Sequence, residues 1–331
     1  MTIGCIGAGS WGTTLSIYLA RLGHSVRLWA HSPERREEIR SRRENATYLP
    51  GATLPDSITL VDTVAETLDA PFTLIATPTQ FIRETLSSVN SFADLRPVYV
   101  NTSKGIEIGT ILRISEVIAD VTGAPPEKIV TLSGPSHAEE VSHSDPAALV
   151  AGCLAVETAI AVQDLFNSST LRVYATDDIV GVEIGGALKN VIAICTGIVD
   201  GLDYGDNTKA ALITRGLAEI TRLGIAMGAR QETFSGLSGL GDLIVTCTSR
   251  HSRNRYVGEQ IGRGRSLKEI TEEMSMVAEG VSTTRSAWAL AQAHGVEMPL
   301  LNQVHAVLFE GKPTKRAILD LMERSTKLEH W

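Results

Sequence analysis

One hexapeptide constrains this chain more than any other feature. Gly7-Ala8-Gly9-Ser10-Trp11-Gly12 follows directly on the apolar run Ile3-Gly4-Cys5-Ile6 and opens a stretch with helical spacing that runs to about Leu22. The first glycine permits a tight strand-to-helix turn, the second lets the backbone approach a pyrophosphate, and the third lets the helix close on the strand. A helix starting there aims unpaired N–H groups and the positive end of its dipole at an anion. G-x-G-x-x-G alone is a weak signal. At the first strand, with more strands and helices following, it predicts a dinucleotide site.

The rest of the first half alternates short β-branched runs with amphipathic stretches. Strands are predicted at Val26-Arg27-Leu28-Trp29, Ile58-Thr59-Leu60-Val61, Phe72-Thr73-Leu74-Ile75, Val98-Tyr99-Val100, Ile129-Val130-Thr131-Leu132, Ala148-Leu149-Val150 and Leu171-Arg172-Val173-Tyr174. Strands separated by helices need crossover connections, and right-handed crossovers build a parallel sheet covered on both faces. From about residue 179 the apolar residues take helical spacing, in long stretches at Ile179 to Leu202 and Asn207 to Met227, then near Leu267, Thr283 and Lys315. The expected fold is α/β: a Rossmann-type doubly wound domain over 1–178, then an all-helical domain over 179–331, packed directly because no flexible linker separates them.

Composition narrows the partners. With 331 residues, 43% hydrophobic and 21% charged, the chain is ordinary for a soluble globular protein. A net charge of −8 argues against a nucleic-acid partner, so cations for an anionic ligand must be gathered locally. Cys5, Cys153, Cys195 and Cys247 are scattered without metal or redox spacing, as in a reducing compartment, and no metal site is expected. The N-terminus lacks the basic start of a secretory signal. The most apolar stretch carries Glu183, Lys189 and Asp200, too many charges for a bilayer span. A cytoplasmic location without membrane insertion is expected.

About 20 residues past the glycine motif an NAD site would carry Asp or Glu. Here His31-Ser32 stand there, with Arg35 and Arg36 close behind. No carboxylate repels a 2′-phosphate, so NADPH is expected to be tolerated. The two arginines either meet that phosphate or form a solvated helix face, the second reading being favoured. FAD uses the same fingerprint, with nothing else to support it.

Lys189 is the most informative charge. At helical spacing, residues 185, 186, 189, 193 and 196 share one face and are Gly, Gly, Lys, Ala and Thr. Such a stripe would leave room for a ligand beside the ammonium, and desolvation would bring its pKa towards neutrality. The plainer reading is a lysine that reaches solvent or pairs with Glu183. Asn101-Thr102-Ser103-Lys104-Gly105 and Leu132-Ser133-Gly134-Pro135-Ser136-His137-Ala138 each follow a strand, where open α/β sheets bind ligands. Gly236-Leu237-Ser238-Gly239-Leu240-Gly241-Asp242 is a glycine-rich turn with one acid. His251-Ser252-Arg253-Asn254 clusters groups suited to phosphate, or is a polar loop. His137, His143, His251 and His305 look individually unremarkable.

Taken together, these motifs closely resemble the bacterial-type NAD(P)-dependent glycerol-3-phosphate dehydrogenases. The likeness runs from the glycine motif through Tyr48-Leu49-Pro50, Ser103-Lys104-Gly105-Ile106-Glu107, Gly185-Gly186-Ala187-Leu188-Lys189-Asn190 and Ser252-Arg253-Asn254 to Gly280-Val281. It implies hydride transfer between NADP(H) or NAD(H) and a small phosphorylated three-carbon substrate, dihydroxyacetone phosphate, to supply glycerol 3-phosphate for phospholipids, in a homodimer.

The same resemblance implies the residue roles. Lys189 would be the acid/base, Lys104 would stabilise charge on the carbonyl oxygen near cofactor and substrate, and Asp242 and Asn190 would orient substrate and lysine. Ser252, Arg253 and Asn254 would grip the phosphate, with Gly134 and Ser136 lining the site. Gly7, Gly9, Ser10, Trp11, Gly12, His31, Tyr48, Lys104, Ala138, Arg253, Val277 and Glu279 would serve the cofactor. Many relatives have His-Arg where this chain has His31-Ser32, which leaves the choice between NADH and NADPH open. A β-hydroxyacid or 6-phosphogluconate dehydrogenase shares the layout but holds its substrate differently. A non-catalytic cofactor sensor would not need both Lys104 and Lys189.

Overall fold

Runs such as Ile3–Ile6 and Val98–Val100 are apolar at successive positions, as strands covered on both faces require. The computed structural model, which describes all residues except 93, 94, 96, 275, 327, 330 and 331, pairs them in one sheet. Its strands are β1 (Thr2–Ile6), β2 (Ser25–Trp29), β3 (Ile58–Val61), β4 (Phe72–Ile75), β5 (Val98–Asn101), β6 (Ile129–Ser133), β7 (Ala147–Gly152) and β8 (Leu171–Thr176). Among the described residues their order is β3-β2-β1-β4-β5-β6-β7-β8. The connecting helices are α1 (Ser10–Arg21), α2 (Pro33–Arg42), α3 (Val64–Leu68), α4 (Ile82–Ser87), α5 (Ile114–Thr122), α6 (Ala138–Ser142) and α7 (Val156–Phe166). Ile3, Cys5, Leu28 and Val100 pack with Leu15 of α1 and Phe166 of α7. On the other face, Trp29, Ile75 and Tyr99 pack with Leu68, Ile82 and Val117 of α3, α4 and α5.

The sheet departs from the expected parallel arrangement at one place. β7 runs antiparallel to β6, and β8 then runs parallel to β7. The intervening α6 has five residues, a rise of about 7.5 Å. That is too short to return the chain along β6, which extends about 16 Å. α7, with eleven residues, does make the crossover from β7 to β8.

The second half consists of α8 (Ile179–Gly201), α9 (Asp206–Ala226), α10 (Gln231–Phe234), a π-helical turn (Leu237–Gly241), α11 (Asp242–Thr248), α12 (Arg253–Gly262), α13 (Leu267–Glu273), α14 (Glu279–Ala293), α15 (Pro299–Phe309) and α16 (Thr314–Met322). α8 is the axis of this half. It is long and apolar enough to cross a membrane, yet 94% of its most apolar window is buried within the protein. Its Glu183 reaches back to the sheet domain, accepting from Ser115 N at 2.8 Å and Arg113 Nη1 at 2.6 Å at the start of α5.

Two glycine pairs set the separation of α8 and α12. A Cβ on Gly197 would lie 2.0 Å from the Arg255 carbonyl oxygen, and one on Gly258 would lie 2.0 Å from that of Ile194. Gly201 and Gly262 repeat the contact one turn on. Backbone therefore touches backbone, and this fixes the start of α12 relative to Lys189. Helix propensity alone would make Gly258→Ala stabilising by about 1 kcal/mol. The steric contact reverses the sign, and we expect a loss of about 1–3 kcal/mol on chemical denaturation. A gain in stability would show that the helices are not held at this distance.

Candidate active site

A cavity of about 1350 Å³ runs along the carboxyl ends of β1, β2, β4, β5 and β6 and ends against α8 and α12. The glycine motif forms its floor. Gly7 has φ +111°, and a Cβ there would lie 2.8 Å from the Ala76 carbonyl, so only glycine serves. A Cβ on Gly12 would lie 1.9 Å from the Gly7 oxygen, so this glycine seats helix on turn. Gly9 differs: its Cβ would meet nothing within 4 Å. No protein contact demands glycine there, and the open side faces the cavity beside an α1 N-terminus that no side chain caps. An open cradle and uncapped N–H groups fit a pyrophosphate.

Ser10, Trp11, His31, Tyr48, Ala138, Val277 and Glu279 all line this cavity. Ser32 does so too, while its hydroxyl oxygen caps α2 by accepting from Arg35 N. Arg35 and Arg36 are not a free solvated face. Arg36 has a side chain 12% exposed and donates to the carbonyls of Ala30 at 2.6 Å and His31 at 3.1 Å. Arg35 pairs with Glu38 and lies over the Tyr48 ring, 5.5 Å from its centroid. Glu279 accepts from Thr79 N at 3.0 Å, and burial pushes its carboxyl up from the ordinary value.

Two ammoniums converge on one carboxylate at the inner end. Lys104, just past β5, donates to Asp242 Oδ2 at 2.7 Å and to the Gly134 carbonyl at 2.9 Å. Lys189, in the middle of α8, pairs with Asp242 Oδ1. Its partner is therefore Asp242 and not Glu183, which pairs with Arg113. Asp242 is fully buried; burial favours its neutral form, but the Lys104 and Lys189 charges outweigh that and hold the carboxyl below its usual range. For Lys189 the balance reverses. Burial dominates, the Asp242 charge offsets it in part, the Lys104 ammonium adds to it, and the amine is lowered to about 7. A nearly dry amine poised at neutrality can give and take a proton.

The glycines before Lys189 have another purpose than the expected ligand space. A Cβ on Gly185 would lie 2.6 Å from the Ser238 carbonyl oxygen, and one on Gly186 would lie 2.6 Å from Ser133 Oγ. They admit the π-helical turn and β6 against α8. Because that turn ends at Gly241, its close seating on Gly185 is what carries Asp242 to the lysines.

Further along the cavity, Asn190 Oδ1 accepts from Asn254 Nδ2 at 2.8 Å, and Asn254 Oδ1 accepts from Gly280 N at 2.9 Å. The Ser252–Asn254 segment is no loose loop. Ser252 is the N-cap of α12, its hydroxyl accepting from Arg255 N at 3.2 Å. Arg253 donates to the Val277 carbonyl at 2.7 Å. Ser136, Asn190, Ser252, Arg253 and Asn254 border the cavity together with both lysines. Gly134, Asp242 and Gly12 do not, so they act on its contents only through what they hold.

Asn45 was invisible to sequence reasoning. Fully buried, it donates from Nδ2 to the Ala8 carbonyl and to Thr13 Oγ1, both at 2.8 Å, clamping the glycine turn from 37 residues away. No spacing rule connects positions so distant. His137 and His251, unremarkable singly, have ring centroids 5.9 Å apart on the cavity wall.

Residues 2–159 match the family described as NAD-dependent glycerol-3-phosphate dehydrogenase N-terminus, and 178–319 match the corresponding C-terminus. A glycerol-3-phosphate dehydrogenase [NAD(P)+] of Chlorobium phaeobacteroides (strain BS1) is 53% identical over 331 residues, 99% of each chain. The crystal structure of a glycerol-3-phosphate dehydrogenase from Coxiella burnetii superposes with a TM-score of 0.93 at 38% identity, covering 98% of this chain and 99% of that one. The Saccharomyces cerevisiae enzyme of that name gives a TM-score of 0.82 at 27% identity, covering 98% and 99%.

Replacing the Asn45 clamp by an apolar isostere leaves the Ala8 carbonyl unpaired and frees the turn. Asn45→Leu is expected to weaken dinucleotide binding about tenfold or more, read by quenching of tryptophan fluorescence. Unchanged affinity in a folded variant would deny the clamp its role.

Proposed function

This chain belongs to the NAD-dependent glycerol-3-phosphate dehydrogenase family, and from that premise we propose that it reduces dihydroxyacetone phosphate to sn-glycerol 3-phosphate, reversibly, with NAD(P)H. The product supplies glycerophospholipid synthesis. The observation that carries the reading is the buried Lys104–Asp242–Lys189 cluster at the inner end of the dinucleotide cavity.

The open side of Gly9 and the uncapped start of α1 fit the cofactor's pyrophosphate, with Ser10, Trp11, His31, Tyr48, Ala138, Val277 and Glu279 along its length. NAD(P)H, when bound, supplies the hydride that the substrate's C2 receives. Lys189 gives its proton to the C2 oxygen during reduction and takes it back during oxidation. Lys104, a second positive charge on the same carboxylate, stabilises negative charge developing on that oxygen. Asp242 keeps both ammoniums in place, and so contributes to substrate binding from behind them. Arg253 and the first N–H groups of α12 hold the phosphate, with Ser252 and Asn254 fixing that turn, Ser136 lining the site past β6 and Gly134 acting through its carbonyl on Lys104. Asn190 ties the lysine's helix to Asn254.

Several further points belong to this reading. Both cofactor forms are accepted: Ser32 stands where an NAD-selective site carries an acid, although Glu34 accepts from its hydroxyl at 2.6 Å and Asp62, beside Arg36, lines the same cavity. The domains divide at residue 178, between the end of β8 and the start of α8. Four free, buried cysteines agree with a cytoplasmic location, and the burial of α8 with a chain that does not insert into membranes. A homodimer follows from the family likeness, and sedimentation equilibrium tests it.

Turnover of NADPH or NADH with dihydroxyacetone phosphate, followed at the nicotinamide absorbance, tests the activity; cofactor binding without oxidation at any pH would refute it. Reduction needs protonated Lys189, so kcat is expected to fall as pH rises through about 7. Oxidation needs the free amine and should rise over the same range. Asp242→Asn removes the charge that favours the ammonium, so the limb should move to lower pH; a shift upward would contradict the assignment. Arg253→Ala should reduce kcat/KM for the phosphorylated substrate about a hundredfold. Equal damage with unphosphorylated dihydroxyacetone would count against a phosphate contact.

A further inference from the structure

The cavity wall holds one polar pair that the reaction as described does not use. His137 lies in the loop between β6 and α6, and His251 immediately precedes the N-cap of α12. Their ring centroids are 5.9 Å apart with the planes tilted by 50°. Both residues line the cavity, as do Ser136, Lys189, Ser252 and Arg253. His137 Nε2 is buried and has no hydrogen-bond partner among the described residues. Leaving such a nitrogen unpaired is unfavourable, and a partner arriving with the ligand would remove that penalty.

We infer that His137 and His251 form an imidazole pair that takes up the phosphoryl end of the substrate, an entering oxygen separating the rings and accepting from His137 Nε2. The inference rests on the dehydrogenase reading above and extends it to two residues with no assigned part. Electrostatics explain why imidazole suits this place better than another cation. Lys104, Lys189 and Arg253 already supply three positive groups, and a fourth fixed charge beside Lys189 would drive off the proton it must donate. Burial, and after it the Lys189 ammonium, push the His137 imidazole below its usual value, against the opposing pull of Glu139 and Glu140; Lys104 acts in the same sense as Lys189. The ring is thus held towards its neutral form, which carries one N–H. It can hydrogen-bond a phosphomonoester dianion without competing with the catalytic amine.

The test compares dihydroxyacetone phosphate with unphosphorylated dihydroxyacetone in the full-length enzyme. His137→Ala is expected to raise KM for the phosphorylated substrate about tenfold. Its kcat/KM for that substrate should fall at least five times more than its kcat/KM for dihydroxyacetone. His137→Gln, which can place an amide N–H near the Nε2 position, should recover most of the loss, and His251→Ala should show the same preference more weakly. Parallel losses with the two substrates, or a KM unchanged in His137→Ala, would overturn the inference. Because a variant can fail to fold, the wild-type enzyme provides an independent reading. Titration with inorganic phosphate should shift the Cε1–H NMR resonances of two histidines, both missing from the spectrum of the double variant H137Q/H251Q. Phosphate saturation that moves neither resonance would also overturn the inference. A wild-type enzyme that fails to turn over dihydroxyacetone phosphate would instead sink the dehydrogenase reading, so the two failures are distinct.

Discussion

A carboxylate with no exposure to water, shared between two ammoniums, is the interaction on which the rest of this structure depends. Burying Asp242 and Lys189 together with the half-buried Lys104 is costly, and removing any one leaves the others uncompensated. In the proposed reaction the arrangement also does chemical work. Desolvation alone would leave Lys189 neutral, and a closely paired carboxylate alone would leave it permanently charged. Sharing Asp242 with Lys104 weakens that second effect, and the outcome is an amine near neutrality that can shuttle a proton in either direction.

The three groups come from distant parts of the chain, so packing has to bring them together. Lys104 sits just past a strand end, at the sheet edge where the glycine turn also lies, and its ammonium is further held by the Gly134 carbonyl. Lys189 is carried by a buried helix anchored to the sheet domain through Glu183 and Arg113. Asp242 arrives on a π-helical turn that can lie against α8 only because Gly185 has no side chain. π-Helical turns interrupt regular hydrogen bonding and often occur at functional sites; here the turn sets the position of the carboxylate. Glycine contacts between α8 and α12 then bring Arg253 and Asn254 to the same cavity.

Much of this was legible in the sequence, and the parts that were not share a physical cause. Strand–turn–helix order placed the dinucleotide cradle, and the strand runs and helical spacing gave a mostly parallel α/β layer followed by helices. Lys189 stood out because Gly185, Gly186, Ala193 and Thr196 share its face of an apolar helix. The direction of β7 was not legible, since it depends on α6 being too short to cross back, which apolar periodicity does not report. Gly185 and Gly186 were visible beside Lys189, but not what they admit: whether a glycine faces a ligand or a neighbouring element is a property of the partner surface. Asn45 and the His137–His251 pair escaped notice because their significance lies wholly in contacts between residues far apart in sequence.

The protonation of one amine tests the account most directly. In enzyme carrying ¹⁵N- and ¹³C-labelled lysine, with the Lys189 resonance assigned by its absence from Lys189→Arg, an NMR titration would follow the Nζ and Cε shifts of that residue. The amine should titrate at about 7, well apart from the surface lysines. Titration together with them near 10.4 would contradict the claim that burial has made this lysine a proton shuttle.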